Sequence, residues 1–351
     1  MKEERQQQDA GKSGGGERQA KDSGRSFKGA RRGYMLGMSF TLMSAILWGS
    51  TYPIIKIALL YFTPYQISFF RASFGSASLL VYLVFRGKFK TAFPHGEREF
   101  LRVFVASLIG ATLFWTFLNL SIEYLQPDIS TFLVALYPLF AIVLATVLLR
   151  ERMTLRRACG VALGLAGTYL IVVYSSDVKV TGSYPILGIV SALCAAFSWA
   201  GYMVLSRVLM EEKETKENLR ESAISPDKLT FNTFLLAIPT TFVLSLVASL
   251  PVGGYLSAVS KNDYEPLVYV VYLGVLTSAF AFLIFNVGMR RIGVSASAIN
   301  QLLFPVVAVI LSYFFLGEVL TLSEVSGMAL IATGIIIAQV SQEEGERGQR
   351  G

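Results

Sequence analysis

Two cations sit inside stretches of sequence built for lipid. Lys56 lies in the apolar run 35–60 and Arg71 in the run 65–85. The other 29 of the 31 Lys and Arg residues fall in the termini, between apolar runs or at run ends, and all 24 acidic residues lie in termini, connections or at run ends. A charge at the centre of a bilayer costs at least about 2.5–3.5 kcal/mol, and one retained there usually serves a pathway or a ligand. Lys56 has a long stem that can carry its ammonium to the surface. Arg71, about seven residues or roughly 10 Å in from Pro64, has a shorter reach for its depth. The chemistry open to such a pair is attraction of carboxylates into an electropositive outer vestibule. Glu123 and Asp128, at the ends of neighbouring runs, are the plausible protein partners.

The uncharged residues that could join them are few. Trp48, Trp115 and Trp199 fall near the middle of their runs, whereas Trp in membranes prefers the interface. Each indole N–H needs a partner, so the three either wall a pocket or fill the core. Ser50 and Thr51 follow Trp48 and Gly49, Tyr202 follows Trp199, and Tyr137 precedes Pro138, so all four join the candidate cavity. Asn119, Asn286, Asn300 and Gln301 carry amides into apolar surroundings, where bridging between helices competes with substrate binding. Pro138 and Pro305 stand mid-run. Each removes a backbone hydrogen bond and kinks its helix, and the freed carbonyl must face a neighbour or a wet cavity. Glu151 and Glu318 follow their runs closely, and each precedes a Thr by three residues, which reads as turn chemistry favoured by a helix dipole.

Enzyme chemistry is poorly supplied. His95 is the one histidine and lies between apolar runs; Cys159 and Cys194 lie in separate runs, where buried structural thiols are the expectation. No metal site and no cofactor are expected. No paired buried carboxylates are available for acid–base work. Gly11-Lys12-Ser13 lacks the upstream glycine and strand of a nucleotide-binding loop. The lack of a deep carboxylate also argues against a simple proton relay; coupling to a proton or ion through an end-placed Glu, or through a substrate carboxylate, stays open.

The elements that must position these residues follow from composition. Of 351 residues, 53% are hydrophobic and 16% charged. Residues 35–340 are only about 12% charged, half the soluble norm. An ordinary soluble enzyme, a disordered protein and a nucleic-acid-binding domain are excluded. A hydrocarbon core about 30 Å thick needs about 20 apolar residues per helix. Ten runs qualify: 35–60, 65–85, 101–122, 129–149, 158–175, 185–207, 229–250, 267–288, 294–316 and 322–340, numbered run 1 to run 10 below. The fold class expected is an all-helical membrane protein with ten transmembrane helices. Residues 1–34, polar and with nine cations, and 341–351 should be cytosolic tails, the first of them disordered. With both tails inside, the inner loops hold 16 cations and the outer loops only Lys179 and Lys261, which satisfies the positive-inside rule.

The chain repeats itself. Shifted by 167 residues, 119–167 lies on 286–334 without a gap and with fourteen identities, among them Asn119/Asn286, Pro138/Pro305, Glu151/Glu318, Gly160/Gly327 and Gly167/Gly334. Shifted by 151, Trp48 falls on Trp199 and Lys56 on Arg207. Residues 35–175 and 176–340 are therefore expected to form two five-helix halves. Five is odd, so the halves should have opposite topology. The turn after run 4 (Arg150-Glu151-Arg152) is basic and its equivalent after run 9 (Gly317-Glu318-Val319) carries no cation. Inverted repeats mark secondary transporters with a midplane site between the halves. Gly160 and Gly164 form a small-xxx-small pair for packing within the bundle or in a homodimer, the bundle being preferred.

Trp48-Gly49-Ser50-Thr51-Tyr52-Pro53-Ile54-Ile55-Lys56 resembles the first-helix motif of EamA-type members of the drug/metabolite transporter superfamily. Pro138 with Leu149-Arg150-Glu151, and Pro305 with Leu316-Gly317-Glu318, resemble that family's paired "Pro, then Gly-Glu" motif; Arg150 departs from it, where Gly is usual. Arg71 and Ser198-Trp199-Ala200 fit as well. The likeness covers 35–340. It implies a ten-helix bundle in the cell membrane that exports or imports a small-molecule substrate such as an amino acid, with a central cavity lined by runs 1, 3, 4, 6, 8 and 9. Two other readings remain: a sugar-phosphate or nucleotide-sugar carrier, which would need several cavity cations, and a non-transporting scaffold or sensor. The expected partners are the lipid bilayer and the substrate, with no nucleic acid.

Overall fold

The computed structural model describes residues 29, 31–125, 127–151, 153–174, 184–211, 213–214, 220–221, 223–248, 265–316 and 321–348. The expectations for residues 1–28, Lys179, Lys261, Gly317, Glu318 and the Asp128 side chain lie outside that description.

Helix occupies each of the ten runs among these residues. Among the described residues seven helices are long and apolar enough to cross a bilayer: Pro64–Phe85, Gly96–Tyr124, Ile129–Leu148, Pro185–Met210, Pro226–Val247, Pro266–Ile292 and Val294–Leu311. Run 10 contributes a shorter apolar helix, Leu322–Ala338. Run 1 is helical over 31–49 and again over Thr51–Ala58, with an interruption at Ser50. Two boundaries differ from the reading of composition. The first helix takes in residues 31–34, and the last continues to Gly348, because polar residues propagate a helix already nucleated by an apolar stretch. The only strands among the described residues form a two-residue ribbon, Lys213 opposite Glu221 and Glu214 opposite Arg220, in the long connection after run 6.

Helix starts follow local rules. Thr63 and Gln66 make a reciprocal capping box at the start of Pro64–Phe85, with Pro64 in the first turn where it loses nothing. Gly293, at φ +86°, separates runs 8 and 9 in a left-handed conformation that side chains disfavour. Large apolar side chains such as Phe85 and Leu155 are at least four-fifths exposed, as a lipid-facing surface requires. Cys159 is exposed and Cys194 half-buried. The expectation of two buried thiols is thus corrected: an apolar run in lipid turns part of its circumference away from the protein.

Run 5 and run 10 make the most extensive helix–helix contact. A Cβ on Gly160 would stand 2.5 Å from the Gly334 carbonyl oxygen, and one on Gly167 would stand 2.5 Å from that of Gly327. The two helices therefore run antiparallel. Gly327 and Gly334 are the repeat equivalents of Gly160 and Gly167, so each glycine meets the equivalent of the other, the pattern a two-fold axis imposes. Gly164 faces Leu302 of the same chain. The halves echo each other elsewhere. In one, Asn119 Nδ2 donates to Ser68 Oγ (2.9 Å), and Ser68 Oγ to the Pro64 carbonyl (3.0 Å). In the other, Asn286 Nδ2 donates to Thr230 Oγ1 (2.9 Å), and Thr230 Oγ1 to the Pro226 carbonyl (2.6 Å). Runs 3 and 8 each contain a π-helical stretch, Leu108–Leu113 and Leu273–Phe280, that overlap when the repeats are superposed.

Crowding at the glycine contact sets a testable asymmetry. Gly167→Leu should lower stability by about 1–3 kcal/mol or more, because overpacking must separate two helices. Gly201→Ala, whose Cβ would meet only Ile109 at 3.5 Å, should stay within about 0.5 kcal/mol. Thermal unfolding of both purified variants in detergent reads the difference.

Candidate functional site

Three helices lose regularity around one cavity. Run 1 is interrupted at Ser50. Run 4 breaks at 135–136 between Pro127–Val134 and Tyr137–Leu148, where Leu136 N donates to Leu133 O (3.3 Å) and Leu139 N to Leu136 O (3.0 Å) in place of α-helical bonds. Run 9 narrows to a 3₁₀ turn over Gln301–Leu303, before Pro305. The breaks in runs 4 and 9 are repeat equivalents, each ahead of its proline, which cannot donate to the carbonyl one turn back. Thr51, Val134 and Gln301, each beside a break, border a common cavity.

That cavity leaves about 40 Å³ for the centres of water molecules, room for a few waters at most. Its wall is aromatic: Trp48, Tyr52, Phe114, Tyr137, Trp199, Phe282 and Phe304, completed by Leu118 and Arg71. Trp48 and Trp199 meet edge-on at 5.1 Å, and Tyr52 stacks on Phe304 at 5.6 Å. The lining comes from runs 1, 3, 4, 6, 8 and 9, with run 2 contributing Arg71.

Arg71 is 1% exposed. Its Nε donates to Ser278 Oγ at 3.1 Å, and its Nη2 makes a long contact of 3.5 Å to Thr277 Oγ1. Its guanidinium carbon lies 4.8 Å from the Trp115 ring centroid, a cation–π geometry. Nη1 is buried without a partner. Neither Glu123, which is exposed, nor any other carboxylate among the described residues pairs with Arg71. Its oxygen ligands come from the π-helical stretch of run 8. A π turn adds a residue and shifts side-chain directions, and such turns recur at functional sites. Thr277 also gives its carbonyl to Trp48 Nε1 at 2.7 Å, which ties the tryptophan to the arginine.

Some of the buried polar groups left without partners belong to this cavity. Thr51 Oγ1 and Gln301 Oε1 are buried without partners, as is Trp115 Nε1 behind Arg71. The Gln301 amide is held by its nitrogen, which donates to Thr41 O (2.7 Å) and Ser44 Oγ (3.0 Å), so the oxygen is the atom left over. A buried polar group without a partner costs about 1–3 kcal/mol, and more for an ion. The cavity therefore offers a donor-only cation and a free amide acceptor inside an aromatic box.

Of the fifteen residues proposed from sequence, Trp48, Thr51, Arg71, Tyr137, Trp199 and Gln301 line this cavity. Trp115 supports Arg71, Tyr202 stacks on Trp199 at 5.2 Å, and Pro138 and Pro305 adjoin lining residues. The others lie elsewhere. Ser50 Oγ pairs with the Tyr272 hydroxyl at 2.6 Å. Asn119 and Asn286 bridge helices, and Asn300 donates to Thr41 Oγ1 at 2.8 Å. Lys56 is exposed and away from the cavity. Sequence reasoning overlooked Phe114, Phe282 and Phe304, because one phenylalanine in an apolar run looks like another. It also overlooked Thr277 and Ser278, since nothing in the sequence signals a π turn.

Glu151 caps a helix, but not its own. It accepts from Val294 N (2.9 Å), Ser295 N (3.0 Å) and Ser295 Oγ (2.5 Å) at the start of run 9 in the other half. The carboxylate is brought there by Arg150, whose φ of +56° closes run 4. This is the left-handed conformation that glycine adopts freely. Glu151 thus pins the two halves together at the cation-rich end. Glu151→Ala should cost about 1–2 kcal/mol as a lost charged cap. Hydrogen exchange should accelerate at the Val294 and Ser295 amides, while Glu151→Gln should keep part of the protection.

The sequence profile of the EamA-like transporter family matches residues 35–173 and again 186–339. An uncharacterized transporter of Archaeoglobus fulgidus is 25% identical over 84% of this chain and 95% of its own. The uncharacterized transporter YyaM of Bacillus subtilis is 23% identical over 87% and 92%. A protein of Streptantibioticus cattleyicolor described as a probable terminal-alkyne amino-acid exporter is 23% identical over 84% and 90%. One protein of known crystal structure, 19% identical, superposes with a TM-score of 0.70 over 90% of this chain and 99% of its own, a likeness of fold.

Proposed function

The chain belongs to the EamA-like transporter family, an integral membrane protein, and on that premise we propose that it exports amino acids by alternating access between two inverted five-helix halves. In this reading ten crossings leave both termini on one side of the membrane, the cation-rich connections favour the cytoplasm for that side, and the membrane is the cell membrane. The antiparallel meeting of runs 5 and 10 supports inversion: equivalent helices that point in opposite directions require a two-fold axis lying in the membrane plane.

The observation that carries the substrate class is the pairing, among residues that line one aromatic cavity, of the unpartnered Nη1 of buried Arg71 with the free oxygen of Gln301. A guanidinium binds a carboxylate through two parallel hydrogen bonds, and an amide oxygen accepts from an ammonium. An amino acid supplies both groups and a side chain for the aromatic wall. The cavity as it stands is too small to hold one, so in this reading the helices that wall it must move apart to admit substrate. A phosphate-bearing substrate fits less well, because only one cation among the described residues borders the cavity. The name of the Streptantibioticus relative supports both the substrate class and the direction.

Transport of labelled amino acids into inside-out proteoliposomes tests the reading. Arg71→Gln should weaken apparent affinity about 10- to 100-fold, the worth of a charged hydrogen bond of about 1.5–3 kcal/mol. An analogue lacking the carboxylate should be insensitive to the substitution. Unchanged affinity in a normally inserted variant overturns the role of Arg71. A second measurement addresses the mechanism. With Cys159 and Cys194 replaced, cysteines placed beside Pro138 and Trp199 should change their labelling rate when substrate is added; static labelling is the result expected of a scaffold or sensor.

A further inference from the structure

A second concavity lies away from the central cavity, between runs 2 and 8 and the start of run 7. It is a lateral groove of about 830 Å³, open to the side of the bundle. Leu79 and Tyr82 form one wall, and Val275, Leu283 and Val287 the other. From Val275 to Arg290 the helical wall is about 22 Å long at 1.5 Å per residue, somewhat more than the half-thickness of a hydrocarbon core, about 15 Å. The apolar part is therefore of acyl-chain length.

The cation-rich end of the groove is different. Lys88, Arg290 and Arg291 border it with a single acid, Asp227. Lys88 is already neutralised by Asp227 at 2.6 Å. Arg291 rests over the Phe40 ring at 5.7 Å, and both arginines are exposed. The Arg290 guanidinium has no protein partner among the described residues. A helix C-terminus would ordinarily repel an anion through its free carbonyls. Here Arg207 Nη1 donates to the Met289 carbonyl at 3.2 Å and to the Arg290 carbonyl, masking the negative end of run 8. Two positive charges, without an acidic partner among the described residues and set at the end of an apolar trough, complement one kind of molecule.

We propose that this groove binds an anionic phospholipid, with its phosphate between Arg290 and Arg291 and one acyl chain along the wall of runs 2 and 8. Basic pockets between helices on the cytoplasmic side are suited to such headgroups. A free phosphate would leave the trough unused, and a zwitterionic lipid would leave the charge of the arginines unbalanced.

Native mass spectrometry of the detergent-purified full chain tests this with phosphatidylglycerol and phosphatidylcholine of identical acyl chains, and with inorganic phosphate. Phosphatidylglycerol should bind at least tenfold more tightly than phosphatidylcholine and raise Tm, with millimolar phosphate neither competing nor stabilising. In the double variant R290Q/R291Q the preference should fall to parity. L283W, which fills the trough and keeps both charges, should reduce binding of both lipids. Equal binding of the two lipids to the unaltered protein overturns the proposal, and so does full competition by phosphate alone. A preference that survives R290Q/R291Q also overturns it. The comparison on the unaltered protein stands even where a variant fails to insert.

Discussion

A bilayer core offers no water, so every backbone N–H and C=O must find its partner within the protein. That constraint keeps the described residues of the apolar runs helical over most of their length, and it dictates where helices are allowed to fail. The interruptions at Ser50, at 135–136 and at 301–303 all lie inside the bundle, none on its lipid-facing side. Their coincidence around one cavity is the consequence: irregular backbone is tolerated where protein or a wet pocket can satisfy it, and the same irregularity supplies the pocket's polar lining.

Arg71 obeys the same rule for side chains. Its charge is offset by two hydroxyls and a tryptophan face, not by a carboxylate. A full ion pair inside the bundle would be self-sufficient and would compete with a ligand. An arginine held by neutral groups is kept in place while its charge stays available. The π turn of run 8 serves this arrangement by presenting Thr277 and Ser278 to Arg71 and the Thr277 carbonyl to Trp48. One backbone irregularity thereby orients a cation and an indole on the same wall.

The repeat shows how a pair of similar halves can be joined without being identical. Glycine meets glycine across runs 5 and 10, and asparagines brace equivalent helix starts through a serine in one half and a threonine in the other. Such contacts are mutual and strongly constrained by close approach. Glu151 works between halves as well, by holding the first turn of run 9. Breaking and remaking contacts of this cross-half kind is what a rocking motion between the halves would require.

The sequence by itself determined the solvent, the number of apolar runs, the internal repeat and the family resemblance. These follow from composition, hydrophobic run length, charge placement and spacing, all of which are additive along the chain. It also isolated the 2 of 31 cations worth attention. Only the tertiary structure separated them: Lys56 faces outward and Arg71 inward, although both stand in apolar runs. It likewise sent Asn119, Asn286 and Asn300 to bridging and Gln301 to the cavity, and gave Glu151 a helix of the opposite half to cap. The physical reason is that facing depends on the rotation of each helix against its neighbours, and a helix apolar on nearly every side carries no periodicity from which to read that rotation.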